Sequence, residues 1–533
     1  MKLSNYLTLP LLAALVAQGV SAQGDAAQAE QEIRLKQQIK ELEDQLAVAR
    51  AEGLRSVTVN GVELSPQHVR REAVFLVGAK LVEAKMADFF VDEWMKRAIE
   101  EGRDPKEFEI SPETLADSLK NQVAEFQVKN PGVPFWEAVR ALTGFTQEAY
   151  TQHWRKTELF KKVFFPGPAQ NWPSITKEAI MASAGNNGGQ QFWENIEKNS
   201  TDPETGEPRE LPAFWMQLCQ GWVQKQLKKW SDIRYPSDGL SAEVVLSVNG
   251  REWGTDEAFE FIRPALFLPD IERAMMELVV REALKQELVA SESYMTDEEF
   301  REAFDDYRQE FDNTPFTTEV IATAFKGYPS LEAFRQRWRL MRSFEKMIES
   351  DVNDENLAAH AKKYARFFAD GQTNVEYIQF LARNVKTGAW EPNGFAGAKE
   401  RAMAAFEEIK GGADFNTVRE SRGEFYVTDE PKGRLGSKSL NQIRQLIREN
   451  EFTDLLMGYS LGNFLFYDAE PGTITEPMRG AEGYYIARVV ARSPARGEPS
   501  VQNPRQRELI RQDYVTQRFM EWANGVVSRA TVQ

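Results

Sequence analysis

The sequence predicts a mainly α protein with two repeated helical modules and a small α+β domain, preceded by a short coiled coil. Three observations carry that reading. First, a β-prone run reaching Asn-Gly is written twice, as Val57-Thr58-Val59-Asn60-Gly61-Val62-Glu63 and as Leu246-Ser247-Val248-Asn249-Gly250-Arg251-Glu252. Asn-Gly best accepts positive φ at both centres of a tight hairpin turn. Helical sequence follows each copy, from Ser65-Pro66 and Glu72 in the first and from Thr255-Asp256-Glu257 in the second.

Second, landmarks recur in one order. Ser111-Pro112-Glu113 answers Thr296-Asp297-Glu298, Ala124-Glu125-Phe126 answers Gln309-Glu310-Phe311, and Trp154-Arg155 answers Trp338-Arg339. The offset is 189 residues from Asn60 to Asn249, 185 from Phe126 to Phe311 and 184 from Trp154 to Trp338. So small a drift needs only a few inserted or deleted residues, and internal similarity of this kind fixes architecture first. Third, the chain changes period after Val375 and reads strand, helix, helix, strand as far as Val489.

A chain of 533 residues is too long for one core and suggests roughly three domains. The balance of 65 basic and 81 acidic residues, net −16, argues against nucleic acid or anionic lipid as the main partner, since both reward a basic face. The 33 Phe and 12 Trp fit a large helical core.

Taken in order, residues 1–22 read as a secretory signal: Lys2, an apolar core from Leu7 to Val20, and the small-residue site Val20-Ser21-Ala22. The apolar run is too short for an anchor helix, and no second hydrophobic span follows, so no integral membrane span is expected. Export, to the periplasm or otherwise, with the single cysteine Cys219 leaves no internal disulfide. Residues 23–54 form a linker and short coiled coil. Leu35, Ile39, Leu42, Leu46 and Ala49 make the seam, which oligomerises the chain, packs on its body or acts as a stalk.

Module one spans 55–168, with a long helix from Val69 to Ile99 and shorter helices from Ser111 and Thr146. Residues 169–243 are an aromatic helical connector carrying Cys219, with a short strand at Ile233-Arg234-Tyr235. Module two spans 244–351, its long helix covering Asp270 to Ser291. A helical linker, 352–373, leads to the α+β domain at 374–495. There a strand, Val375 to Leu381, and a helix, Ala396 to Lys410, precede a second helix from Leu440 to Met457 and a closing strand from Gly483 to Val489. Residues 496–533 give a helix, Arg505 to Val527, and a short strand at Ala530-Thr531-Val532.

Gly412-Ala413-Asp414-Phe415, Gly433-Arg434-Leu435-Gly436, Gly472 to Pro477 and Gly483-Tyr484-Tyr485-Ile486 identify the α+β part. Residues 375–490 resemble a parvulin (PpiC-type) peptidyl-prolyl isomerase domain. The two modules resemble the N-terminal chaperone domain of SurA- and PrsA-type envelope foldases, whose C-terminal helix and strand return to complete the N-terminal module. Arg505 to Val532 looks like that returning segment.

In active parvulins the resemblance implies a histidine in each of two sheet strands, beside a greasy slot for the proline ring. Those places hold Tyr377, before Ile378, and Tyr485, before Ile486. Asp429 stands nearest the family's Cys or Asp, and Lys432 replaces its first Gly. Rotation about a prolyl bond faces a barrier of about 18–20 kcal/mol. Two tyrosines with a reference pKa of about 10 stay neutral and cannot share a proton as imidazoles do. Met457, Phe464 and Phe466 are candidates to line the slot, with simple core packing as the competing role.

His68, His153 and His360 lie in separate segments without metal-ligand spacing and read as exposed or capping residues. No metal or cofactor is expected. The sequence therefore points to an exported chaperone or foldase for unfolded or nascent envelope polypeptides, with little or no isomerase activity. A working isomerase and a non-catalytic envelope scaffold are the alternatives.

Overall fold

The computed structural model describes residues 56–533 except 130–133, 137, 140–144, 166–188, 203, 208–210, 212, 264–265, 267, 310–317, 384, 386–390, 392–393, 427–431 and 450–458. The expected signal peptide and coiled coil lie outside the described residues. The rest is mainly helical, with small antiparallel sheets.

Both Asn-Gly turns close hairpins. Strands β1 (Val57–Val59) and β2 (Val62–Leu64) pair antiparallel, as do β4 (Val244–Val248) and β5 (Arg251–Gly254). Asn60 and Gly61 have φ of 49° and 86°, Asn249 and Gly250 of 51° and 80°, the left-handed pairs that such turns demand. A third segment pairs with each hairpin. For the second it is β3 (Ile233–Arg234), where Ile233 faces Val248; for the first, Val532 bridges to Val59.

The helix expected from Val69 to Ile99 is two helices, α1 (Pro66–Val77) and α2 (Ala79–Glu100), broken at Gly78. The break has a packing cause: a Cβ on Gly78 would sit 2.6 Å from Cγ2 of Ile262. Beyond lie α3 (Pro112–Lys129), α4 (Gln147–Phe164), α5 (Ala213–Trp230), α6 (Thr255–Ile262), α7 (Leu268–Ala290), α8 (Asp297–Gln309), α9 (Leu331–Met347) and α10 (Asp354–Lys363). Local signals set several of their starts: Thr146 caps α4, Ser330 caps α9 and Asn353 caps α10, each side chain accepting a backbone N–H of the first turn.

Among the described residues, two of the helical cores each draw on both halves of the chain. Val57, Val59, Leu64 and Val69 of the first hairpin and α1 share a core with Leu278, Leu284 and Leu288 of α7, Leu340 and Phe344 of α9, and Phe519 near the C-terminus. Val245, Leu246 and Trp253 of the second hairpin, with Phe259 and Ile262 of α6, share the other with Phe89 and Phe90 of α2, Phe160 and Phe164 of α4, and Val223 and Leu227 of α5.

The α+β domain holds β6 (Thr373–Leu381), α11 (Gly394–Lys410), α12 (Phe415–Arg422), β7 (Arg434–Lys438), α13 (Leu440–Leu446), β8 (Met478–Arg479) and β9 (Gly483–Arg492), with sheet order β7-β6-β9-β8, all antiparallel. The sequence reading missed β7 and β8. The final helix, α14, covers Pro504–Arg529. Among the described residues no helix is long and apolar enough to cross a membrane.

Candidate functional site

Alternation along β6 places Val375, Tyr377 and Gln379 on one face of the sheet and Ile378 and Phe380 on the other. Register sets Tyr377 opposite Ala487 and Gln379 opposite Tyr485, so both tyrosines share a face. Their ring centroids lie 5.5 Å apart at 57°, and Phe425 lies 5.9 Å beyond Tyr377. Tyr377 is 3% exposed and Tyr485 1%. Carbon atoms in contact stay about 3.5–4.0 Å apart, so a third ring inserted between two others needs roughly 7 Å. The tyrosines fill that space themselves.

The phenol of Tyr485 is poorly served. Among the described residues its hydroxyl donates to the carbonyl of Ile447, at 3.4 Å. Burial, aided by Tyr377, raises its pKa well above the phenol range, so it stays protonated. Glycine admits the ring: a Cβ on Gly480 would lie 2.3 Å from Cε2 of Tyr485. Lys432 takes φ of 30°, in the left-handed region that favours glycine.

Phe466 belongs to the same buried cluster, with Leu440 and Ile443 of α13. It lies on the π-helical turn Phe464–Asp468, and the guanidinium of Arg366 stacks on it at 4.5 Å. Phe464 packs half-buried at the cluster's edge. The structure thus brings Tyr377, Tyr485, Phe464 and Phe466 together, while Asp429 and Met457 lie outside the described residues.

Sequence reasoning missed Gln379. It is fully buried beside Tyr485, and neither end of its amide has a hydrogen-bond partner among the described residues. The mouth of this face is charged. Glu482 lies 3.5 Å from Arg383 and 3.5 Å from Arg448, whose guanidinium covers Tyr426 at 4.5 Å. Burial lowers the pKa of Arg273 of α7, and the charges of Arg383 and Glu482 act on it.

The histidines need two corrections, at His153 and His360. His68 does act in a cap, its Nδ1 2.9 Å from Ser65 Oγ. His153 stacks on Phe145 at 5.4 Å, and burial lowers its pKa. His360 is neither exposed nor capping: it is buried, with Nε2 2.7 Å from Asp513 of α14, because α10 folds against that helix. Among the described residues no three acidic, His or Cys side chains converge as metal ligands.

A second surface is aromatic. Phe135 meets Phe126, Trp136 and Tyr150 edge to face at 5.3, 4.9 and 5.6 Å, and Tyr150 stacks on Trp154 at 6.2 Å. Phe135 is buried, but the other four rings are half-buried on α3, α4 and the turn between them. Val128, near the end of α3, is 83% exposed.

No protein-family model and no curated protein matches the chain. Solved structures do. The peptidylprolyl isomerase PrsA from Bacillus anthracis matches at 14% identity over 47% of this chain and 94% of that one, with a TM-score of 0.20. PrsA from Bacillus cereus matches at 16% identity over 53% and 89%, TM-score 0.20. PrsA from Bacillus subtilis matches at 13% identity over 54% and 92%, TM-score 0.16.

Proposed function

We propose that the chain is an exported chaperone that holds unfolded or nascent envelope polypeptides and catalyses prolyl isomerisation weakly or not at all. The observation that carries this reading is the buried Tyr377–Tyr485 pair. On the resemblance drawn from the sequence it stands where parvulins present an open polar site, and between its two rings, 5.5 Å apart, a proline ring does not fit. Two neutral phenols at that position offer neither a shared proton nor an accessible hydrogen-bond donor to a twisted amide.

Holding needs no such pocket. Half-exposed rings on a rigid helical support gain free energy from any apolar segment, at about 25 cal/mol per Å² of apolar surface buried and without reading sequence. The ledge of Phe126, Trp136, Tyr150 and Trp154 offers that chemistry. The net charge of −16 keeps a loaded chaperone soluble and favours clients that are not themselves acidic. In this reading the 55–168 and 244–351 modules form the holding scaffold, the 374–495 domain is a parvulin fold retained for its surface, and residues 35–49 set the oligomeric state. Light scattering of a chemically unfolded client tests it: substoichiometric protein should suppress aggregation, and Trp136→Ser with Trp154→Ser should weaken the effect several-fold.

A further inference from the structure

The two Asn-Gly hairpins are closed in one manner by two different helices. Asn60 donates its N–H to the carbonyl of Thr531 at 2.9 Å, and its Oδ1 accepts the N–H of Thr531 at 2.8 Å. Asn249 donates its N–H to the carbonyl of Asp232 at 2.9 Å, and its Oδ1 accepts the N–H of Asp232 at 2.9 Å. Thr531 follows α14 and Asp232 follows α5, so each hairpin meets a long helix running into a short strand.

The assignments are crossed. The helix and strand of the first half close the second hairpin, and those at the C-terminus close the first. The long helices are crossed too. The first hairpin lies on α7, where the side chain of Asn60 donates to Gln286; the second lies on α2, where the side chain of Asn249 donates to Glu93. At the crossing α1 and α6 pack side by side, with Gly78 against Ile262 and Arg70 paired to Asp256 at 2.5 Å. Inside the receiving helices a further pair matches. Asp88 of α2 and Glu277 of α7 stand at the same 189-residue offset as the hairpins. Each is a carboxylate with one buried oxygen that lacks a hydrogen-bond partner among the described residues, and burial raises both pKa values.

We infer that the chain is two copies of one body, at 57–234 and 244–533, that have exchanged their N-terminal arms, each arm being a hairpin and its first helix. The binding surface on each body is a receptor for such an arm, and its partner is the arm of the other copy. The aromatic connector is then the closing helix and strand of the first copy, and the parvulin-like domain is an insertion before α14 that only the second copy carries. Gly78 and Ile262 mark where the arms cross. Covalent linkage holds the partners at a high effective concentration, which makes exchange within one chain cheap.

The test inserts a protease site between Leu240 and Ser241 of the full chain, so that cutting separates the copies covalently. Cut but otherwise unsubstituted protein is expected to elute as one species at the volume of the uncut chain. Three cysteine pairs then report which body each arm occupies. Thr58→Cys with Gln533→Cys, and Arg234→Cys with Ser247→Cys, should each leave the cut fragments joined on a non-reducing denaturing gel. Thr58→Cys with Arg234→Cys, both on the first fragment, should keep free thiols. Separate elution of the cut halves, fragments released from the first two pairs, or a disulfide in the third would each overturn the exchange.

Discussion

Tyr485 lies with its ring against Tyr377 on one face of the four-stranded sheet, and among the described residues its hydroxyl reaches a carbonyl 3.4 Å away. So weak a hydrogen bond contributes little, whereas the ring fills the middle of a core. Tyr485→Phe should therefore change the unfolding free energy by less than about 1 kcal/mol. Tyr485→Ala should cost about 3–5 kcal/mol, as for other large aromatic truncations. Urea unfolding of the two variants checks both values.

Arg335 of α9 is the hub of a buried ionic group. It pairs with Asp238, donates from Nε to Ser237 Oγ at 2.9 Å and stacks over Phe304 at 4.4 Å. Ser237 in turn donates from its backbone and hydroxyl to Glu332 at 2.8 and 2.7 Å. Arg335→Ala leaves Asp238 and Glu332 buried without their cation. The expected loss is about 3–5 kcal/mol in chemical denaturation. Arg335→Lys should recover little of it, since an ammonium cannot make the planar stack and the fork together.

Buried carboxylates give the stability a distinct pH dependence. Burial raises Asp88 to about 7, Glu277 to about 8 and Glu332 to about 7. Around Glu277 stand Glu72, which raises it further, and Arg273, Arg281 and Arg337, which oppose the rise. Unfolded carboxylates release their protons near pH 4. Between that pH and about 8 the folded chain holds protons that the unfolded chain has lost, so these groups make stability fall as pH rises. Unfolding free energies measured from pH 5 to pH 9 should decline, and Glu277→Gln should flatten the upper end and raise the Tm at pH 9.

Arg366 ties together the two connections into the α+β domain. It donates to the carbonyls of Phe466, Gln372 and Ser493 at 2.5, 2.8 and 3.1 Å and to Thr373 Oγ1 at 2.9 Å. Arg366→Ala removes four hydrogen bonds and the stack on Phe466. Limited proteolysis should then cut near 364–372 and 493–503 several-fold faster. Aggregation suppression should stay unchanged, because the aromatic ledge belongs to the other end of the chain.

The hairpins were legible because the requirement for positive φ is local and Asn-Gly meets it within two residues. The parvulin-like strands were legible from alternation in Val375–Leu381 and Gly483–Val489. The segments that close the hairpins were legible too, as short strands at Ile233 and Ala530, and the family resemblance pointed to the return of the C-terminal one. That Ile233–Arg234 closes the second hairpin was not, because two residues carry no period that names a partner. The break at Gly78 depends on Ile262, again a distant partner. Gln379 escaped notice because one polar residue in an apolar strand looks like an exposed position until the covering helix is known. The Asp88 and Glu277 match, by contrast, was present in the sequence at the hairpin offset and needed only the buried oxygen of each carboxylate to give it meaning.

The central claim is that a foldase scaffold holds clients while its prolyl isomerase position is filled by two tyrosines. The most direct measurement follows a proline-limited refolding client and an aggregating client with one preparation of the full chain. The account expects aggregation suppressed at substoichiometric protein and the proline-limited phase left at its uncatalysed rate. Acceleration of that phase that is lost in Tyr377→Phe, or aggregation that proceeds unchecked, would contradict it.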